Sequence, residues 1–244
     1  MQKIKLIVSY DGTRYYGWQR QDDVVSVQEE LEKACKQLFK QEVKIQGAGR
    51  TDAGVHALGQ CATLMVNTNI PMERVPLVLN NILPQDIVVI SAEKVPDKFH
   101  AQYSAKSKTY KYQIMNADYP IPQMRHYADF VHIPLNVEAM NKGAQYFVGT
   151  HDFLAFCASR NTTRTTTRTI HYAKVTQNDQ IVTFEVCGNG FLYNMVRIMV
   201  GTLIQVGIGK VEPSEISQII VSKNRQKAGK TVPACGLTMC NVEY

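Results

Sequence analysis

The chain has 244 residues, of which 45% are hydrophobic and 20% charged, proportions that suit a globular protein and exclude a disordered one. No uncharged apolar run approaches the roughly 18 residues of a membrane helix, and the N-terminal MQKIKLIVSYDG is too short in apolar residues for a secretory signal. The net charge of +6 is unevenly spread: 98–117, 153–178 and 216–242 hold twelve of the 27 basic residues and none of the 21 acidic ones, so the remainder carries 15 basic against 21 acidic.

Such segregation suits a face that meets a polyanion, nucleic acid being the obvious one; an uneven solvated surface is the bland alternative. Six cysteines (35, 61, 157, 187, 235, 240) without a CxxC pair read as reduced thiols of a cytoplasmic protein.

In chain order, 4–10 alternates apolar and polar residues into the turn signal Asp11-Gly12, a strand. Ser26 caps a helix, with Glu29 three residues on, and Val27, Leu31, Ala34, Cys35 and Leu38 form its buried stripe. A short strand at 43–46 runs into glycines, and 60–66 is another strand. Pro71 opens a helix through Val75, Val78, Leu79 and Ile82, ended by Pro84, and 87–94 is a strand. In the second half, 109–115 is a strand, 137–147 a helix, and 170–176 and 181–186 two strands joined by a turn. The apolar helix 192–206, a shorter helix 213–221 and a closing strand 237–242 complete the order. It fits an α+β fold of two lobes, 1–104 and 105–244, with mainly antiparallel sheets. No low-complexity linker separates the lobes, so they are expected to pack together.

The densest chemical signal is GAGRTDAGVHA at 47–57. It is not a dinucleotide fingerprint, because Asp52 stands at the third required glycine and would repel a pyrophosphate. A glycine-rich turn is the plain reading. Arg50 and Asp52, two apart in an extended segment, point to one side, and the guanidinium favours the ionised carboxylate, which suits a nucleophile or base. Arg197 lies in the apolar helix with no acid three or four residues away. Its partner must be a distant carboxylate, Asp52 being the expected one, or a ligand phosphate; otherwise the side chain snorkels to solvent. Tyr110 and Tyr112 share one face of a strand among lysines, as base-stacking aromatics do, although a core position is the simpler account of Tyr112. The six histidines show no ligand spacing, and no GxSxG elbow is present.

These motifs resemble the bacterial TruA family of tRNA pseudouridine synthases. The segments that carry the likeness are YDGTRYYGWQRQ (10–21), SVQEELEKA (26–34), GAGRTDAGVHALGQ (47–60), SAKSKTYKYQI (104–114), GTHDFLAFC (149–157), FLYNMVRIMVGTLI (191–204) and AGKTVPACGLTM (228–239). The resemblance implies isomerisation of uridine to pseudouridine at positions 38, 39 and 40 of the tRNA anticodon stem-loop, on a flipped-out nucleotide in a cleft between the lobes. It implies no cofactor, no metal and no membrane, and a homodimer as the binding form.

By motif, Asp52 matches the catalytic aspartate, Tyr110 the active-site tyrosine and Arg197 the arginine that pairs with the aspartate. Arg50 matches the residue that holds the nucleotide out of its stack, and Leu237 one that lines the uracil pocket. Gln102 and Lys230 depart from the family's usual arginine and proline. Arg14, Arg20, Arg160, Arg164, Arg168, Lys223, Arg225 and Lys227 are the expected RNA contacts. Two rival readings are a non-catalytic RNA-binding module and a metal-free hydrolase or lyase acting on free nucleosides through Asp52.

Overall fold

The computed structural model describes residues 1–158 and 165–244. Contacts divide the chain into two units: Met1–Lys106 with Thr238–Tyr244, and Ser107–Leu237.

In the first unit, β1 (Gln2–Tyr10) alternates as its sequence does, with Ile4, Leu6, Val8 and Tyr10 buried and the residues between them half-exposed. It pairs antiparallel with β3 (His56–Val66) on one side and β4 (Ile87–Val95) on the other. The short β2 (Gln46–Gly47) adds antiparallel to β3, and β10 (Leu237–Glu243) adds parallel to β3 through Thr238 and Met239. β3 starts four residues earlier than its apolar pattern suggests, so its first turn of sequence belongs to the glycine-rich motif.

Helix α1 (Val27–Phe39) begins at Ser26, whose hydroxyl accepts from the Glu29 N–H, and buries Val27, Leu31, Ala34 and Cys35. Burial pushes the Cys35 thiol up to about 12, so it behaves as a small apolar side chain. The expected helix from Pro71 is shorter than its stripe. A 3₁₀ turn at Met72–Arg74 leads into α2 (Val75–Asn80), which buries Val75 and Leu79 and leaves Val78 37% exposed. The Asn80 amide ends the run by bonding the Val89 backbone, accepting from its N–H and donating to its carbonyl.

In the second unit, β5 (Ser107–Asn116) pairs antiparallel with β9 (Ile181–Gly188), β9 with β8 (Thr167–Asn178), and β8 with β7 (Gly149–Asp152). The three-residue β6 (Asp129–Val131) joins β5 in parallel. Helices α3 (Val137–Gln145), α4 (Met195–Gly207) and α5 (Glu215–Ser222) meet where Gly143 lies against Ile216, Leu203 and Val206. Phe147, Phe153, Phe156 and Phe184 are fully buried, each worth roughly 3–5 kcal/mol on truncation to alanine. At Gly201 a Cβ would overlap the Lys230 carbonyl, so α4 can lie against the 228–231 segment only through glycine. No helix among the described residues is long and apolar enough to cross a membrane.

Candidate active site

In the first unit the glycine-rich motif runs through β2, a loop and the start of β3. Along that loop Gly49 and Asp52 are half-buried, Arg50 is exposed and Thr51 is buried. Buried polar groups hold it from beneath. Gln60, fully buried on β3, donates from Nε2 to the Gly49 carbonyl at 2.9 Å. Tyr10, 4% exposed at the end of β1, bonds Thr51 Oγ1 through its hydroxyl at 2.7 Å. The Gly49 carbonyl and the Thr51 side chain are thus both held, on either side of Arg50 and immediately before Asp52. After Asp52 the chain reverses, the Val55 N–H donating to the Asp52 carbonyl at 3.1 Å with Gly54 at φ +80°.

A second motif, 10–21, wraps this loop by backbone bonds. The Trp18 N–H donates to the Thr51 carbonyl at 3.1 Å, the Gly54 N–H to the Tyr15 carbonyl at 3.2 Å, and the Gly12 N–H to His56 Nδ1 at 3.0 Å. Gly17 takes φ +87° and presses on the Thr51 carbonyl so closely that a Cβ would overlap it. From the wrap, Arg14 donates from Nε to Asp86 at 2.7 Å and keeps its side chain 70% exposed. Tyr15 donates to the other Asp86 oxygen at 2.5 Å. Arg20 reaches Glu32 at 3.3 Å, again largely exposed.

In the second unit, Tyr110 on β5 is 8% exposed and meets the Phe191 ring edge-on, centroids 5.1 Å apart. Tyr112, two residues on, is fully buried and donates to the Pro233 carbonyl at 2.8 Å, as befits a core tyrosine. Arg197 lies in the first turn of α4, which is buried almost throughout, and is itself half-buried. Its Nε donates to the Val232 carbonyl and one terminal nitrogen to Asn194 Oδ1, both at 2.8 Å. The helix starts at 195 rather than 192 because Asn194 takes the left-handed conformation, φ +60°, at its N-cap. Leu237, 6% exposed, opens β10.

Of the expected RNA contacts, Lys223 is exposed and ion-paired with Asp152 at 2.8 Å, and Lys227 is exposed. The Arg225 guanidinium is engaged by the Gly229 carbonyl at 2.9 Å and the Thr231 hydroxyl at 3.1 Å, so it shapes the 228–231 loop. Arg168 donates to the carbonyls of Thr165 and Thr167, and burial lowers its pKa. Lys108 is pushed down by burial and then by Arg168 nearby. Arg160 and Arg164 lie outside the described residues. Among the described residues no group of three His, Cys, Asp or Glu side chains is placed to hold a metal.

Sequence reasoning did not single out Tyr10, Gln60, Asn194 or Phe191. Tyr10 and Gln60 are hidden as ordinary positions of strands, and only the fold shows their polar ends meeting the loop. Asn194 and Phe191 carried one available signal: both sit in the apolar segment 191–204, and asparagine before a helix is a capping residue.

A family model described as tRNA pseudouridine synthase matches residues 6–104 and 144–244, which leaves Tyr110 between the matched stretches. Along its whole length the chain is 49% identical to a protein of Thermoanaerobacter sp. (strain X514) named tRNA pseudouridine synthase A, with 100% of both chains covered. Proteins of the same name from Acetivibrio thermocellus and Clostridium acetobutylicum are 48% and 43% identical, again over 100% of both chains. A solved chain described as "Crystal Structure of a Cbf5-Nop10-Gar1 Complex" overlaps 96% of this chain and 57% of its own, at 12% identity and a TM-score of 0.35.

Proposed function

Because the chain belongs to the tRNA pseudouridine synthase family, an isomerase family acting on tRNA, we propose that it converts uridine to pseudouridine at positions 38, 39 and 40 of the anticodon stem-loop, with Asp52 as the catalytic carboxylate. The reaction cleaves the N1–C1′ bond, turns the uracil, and joins C5 to C1′; the C5 proton leaves and N1 regains one. Atoms and electrons balance within the substrate, so the chemistry asks the protein for a carboxylate at the sugar, a surface for the free base and a grip on the flipped nucleotide.

The observation that carries this reading is the loop at 49–52, where buried polar groups fix alternate residues and present a half-buried carboxylate beside an exposed guanidinium. Asp52 acts on the ribose, at C1′ as nucleophile or at C2′ as base. Tyr110, braced by Phe191, stacks on the uracil, and Leu237 lines its pocket. Arg197, its head fixed by Asn194 and Val232, serves the carboxylate, and Arg50 holds the nucleotide out of its stack. Extruding the base costs a few kcal/mol, offset by phosphate contacts from Arg14, Arg20, Arg160, Arg164, Arg168 and Lys223. Two lobes, 1–104 and 105–244 with the closing residues Thr238–Tyr244 returned to the first, a cytoplasmic location and a homodimer complete the proposal.

Tritium release from tRNA labelled at uridine C5 tests it, since every turnover sends that hydrogen to water. The wild type releases tritium from anticodon arms, with log affinity falling linearly against log salt, and leaves free uridine untouched. Turnover of free uridine would favour the nucleoside hydrolase, and binding without release a non-catalytic module. Sedimentation of the protein at twice its monomer mass checks the dimer.

A further inference from the structure

Beneath the Asp52 loop lies a buried polar cluster that the sheet itself does not need. Tyr10 sits where β1 changes register against β3, between Val8 opposite Gln60 and Tyr10 opposite Ala57. Its hydroxyl faces Thr51 Oγ1 at 2.7 Å and neighbours the Gln60 side chain. Thr51 is 8% exposed and Gln60 fully buried. Gln60 Nε2 holds the Gly49 carbonyl, and its Oε1 has no hydrogen-bond partner among the described residues.

Apolar groups of the same shape would fill this space at least as well. Phenylalanine replaces tyrosine and valine replaces threonine without a cavity, and removing both partners of a buried hydrogen bond together is close to neutral for stability. Keeping a tyrosine, a threonine and a glutamine, one with an unsatisfied oxygen, therefore does little for stability. What the three groups do achieve is geometric. They fasten the backbone at 49 and 51, on both sides of Arg50 and immediately before Asp52, while Trp18 and Tyr15 fasten the same loop through its backbone.

We propose that Tyr10, Thr51 and Gln60 are positioning residues for the Asp52 carboxylate. They act by fixing the loop from which it projects, and they touch neither substrate nor base. The inference rests on the assignment of Asp52 as the catalytic carboxylate. A carboxylate has only two side-chain torsions, so a shift of its backbone carries it along, and a slip of about 1 Å in such a group costs up to roughly 100-fold in rate.

The test uses the full chain and tritium release from C5-labelled tRNA, with kcat, KM and Tm recorded for T51V, Y10F, T51S, the double variant Y10F/T51V and, beside them, D52N. The expected result is a fall in kcat of roughly 10-fold for T51V and a smaller fall for Y10F, with KM within about twofold of wild type. T51S keeps the hydroxyl and restores most of the rate. Y10F/T51V is no slower than T51V, because both lesions break one link, and its Tm stays close to wild type because no polar atom of that pair is stranded. Wild-type kcat in T51V, Y10F and the double variant, with D52N inactive, overturns the positioning role alone. A rise in KM at unchanged kcat, or a loss that tracks the folded fraction, overturns it as well. Full activity in D52N overturns the Asp52 assignment itself.

Discussion

Asp52 and Arg197 are restrained at opposite ends. Asp52 projects from a loop whose described restraints act on the chain around it: the carbonyls of Gly49 and Thr51, the Thr51 hydroxyl, the N–H of Gly54, and the turn closed by Val55. Arg197 projects from a helix whose backbone is already fixed, and its restraints act on the guanidinium, through Val232 and Asn194. The difference follows from side-chain length. A short acid inherits its position from the main chain, whereas an arginine loses four torsions on ordering and needs its planar head held in two directions.

This contrast can be broken from either end. Asp52→Asn leaves the loop and its restraints intact and removes the charge; tritium release should fall by about 10⁴-fold or more while tRNA binding and Tm hold. Arg197→Lys keeps a cation but has no fork to span Asn194 and Val232, and a loss of about 10²-fold is expected in single-turnover rate. Asn194→Gly is gentler. Glycine takes φ +60° freely, so the helix start survives and only the acceptor for Arg197 goes; kcat should drop about 10-fold with KM unchanged. If Asn194→Gly is silent while Arg197→Lys is not, one restraint on the guanidinium suffices, and the contrast narrows.

Another carboxylate supplies the control. Asp152 accepts from Lys223 and from Thr166, and these bonds, Lys223 first, hold its carboxyl below the usual range. Folding favours the charged form, so the contribution is complete above about pH 4 and fades as pH falls through the native value. The Tm gap between wild type and Asp152→Asn should therefore be widest near pH 7 and narrow as the pH falls below about 4. Lys223 is exposed and Asp152 only half-buried, so the gap corresponds to about 1 kcal/mol or less. Activity at pH 7 should barely change. A gap that does not narrow on acidification would show that Asp152 matters through shape instead of charge.

Much of this was legible in advance because it is local. The alternation of β1, the Ser26 cap with its stripe in α1, the buried α4 and the core position of Tyr112 are each written within about ten residues. Short strands such as β6 were not legible, since three residues carry no period and exist only because β5 offers an edge. The start of α4 was misjudged because nothing in FLYN states that Asn194 turns left-handed. Arg225 looked free for RNA in a basic stretch, yet its donors go to carbonyls a few residues on, a local bond that charge counting cannot see. The buried polar ends of Tyr10 and Gln60 were the hardest, because their partner loop lies some forty residues from one of them.

The first unit is discontinuous. Its strand β10 is encoded after the roughly 130 residues of Ser107–Leu237, yet it pairs with β3 at His56 and Ala57. On a ribosome adding about 5–20 residues per second, the first hundred residues emerge with that stretch of β3 still open, and wait on the order of ten seconds for its closing neighbour. An unpaired edge invites pairing with other chains, and the wait falls within the span in which chaperones intercept nascent proteins. Vectorial synthesis thus makes the loop's own supporting strand the last to be sealed, and swapping β10 to the N-terminus by circular permutation should shorten that exposed interval.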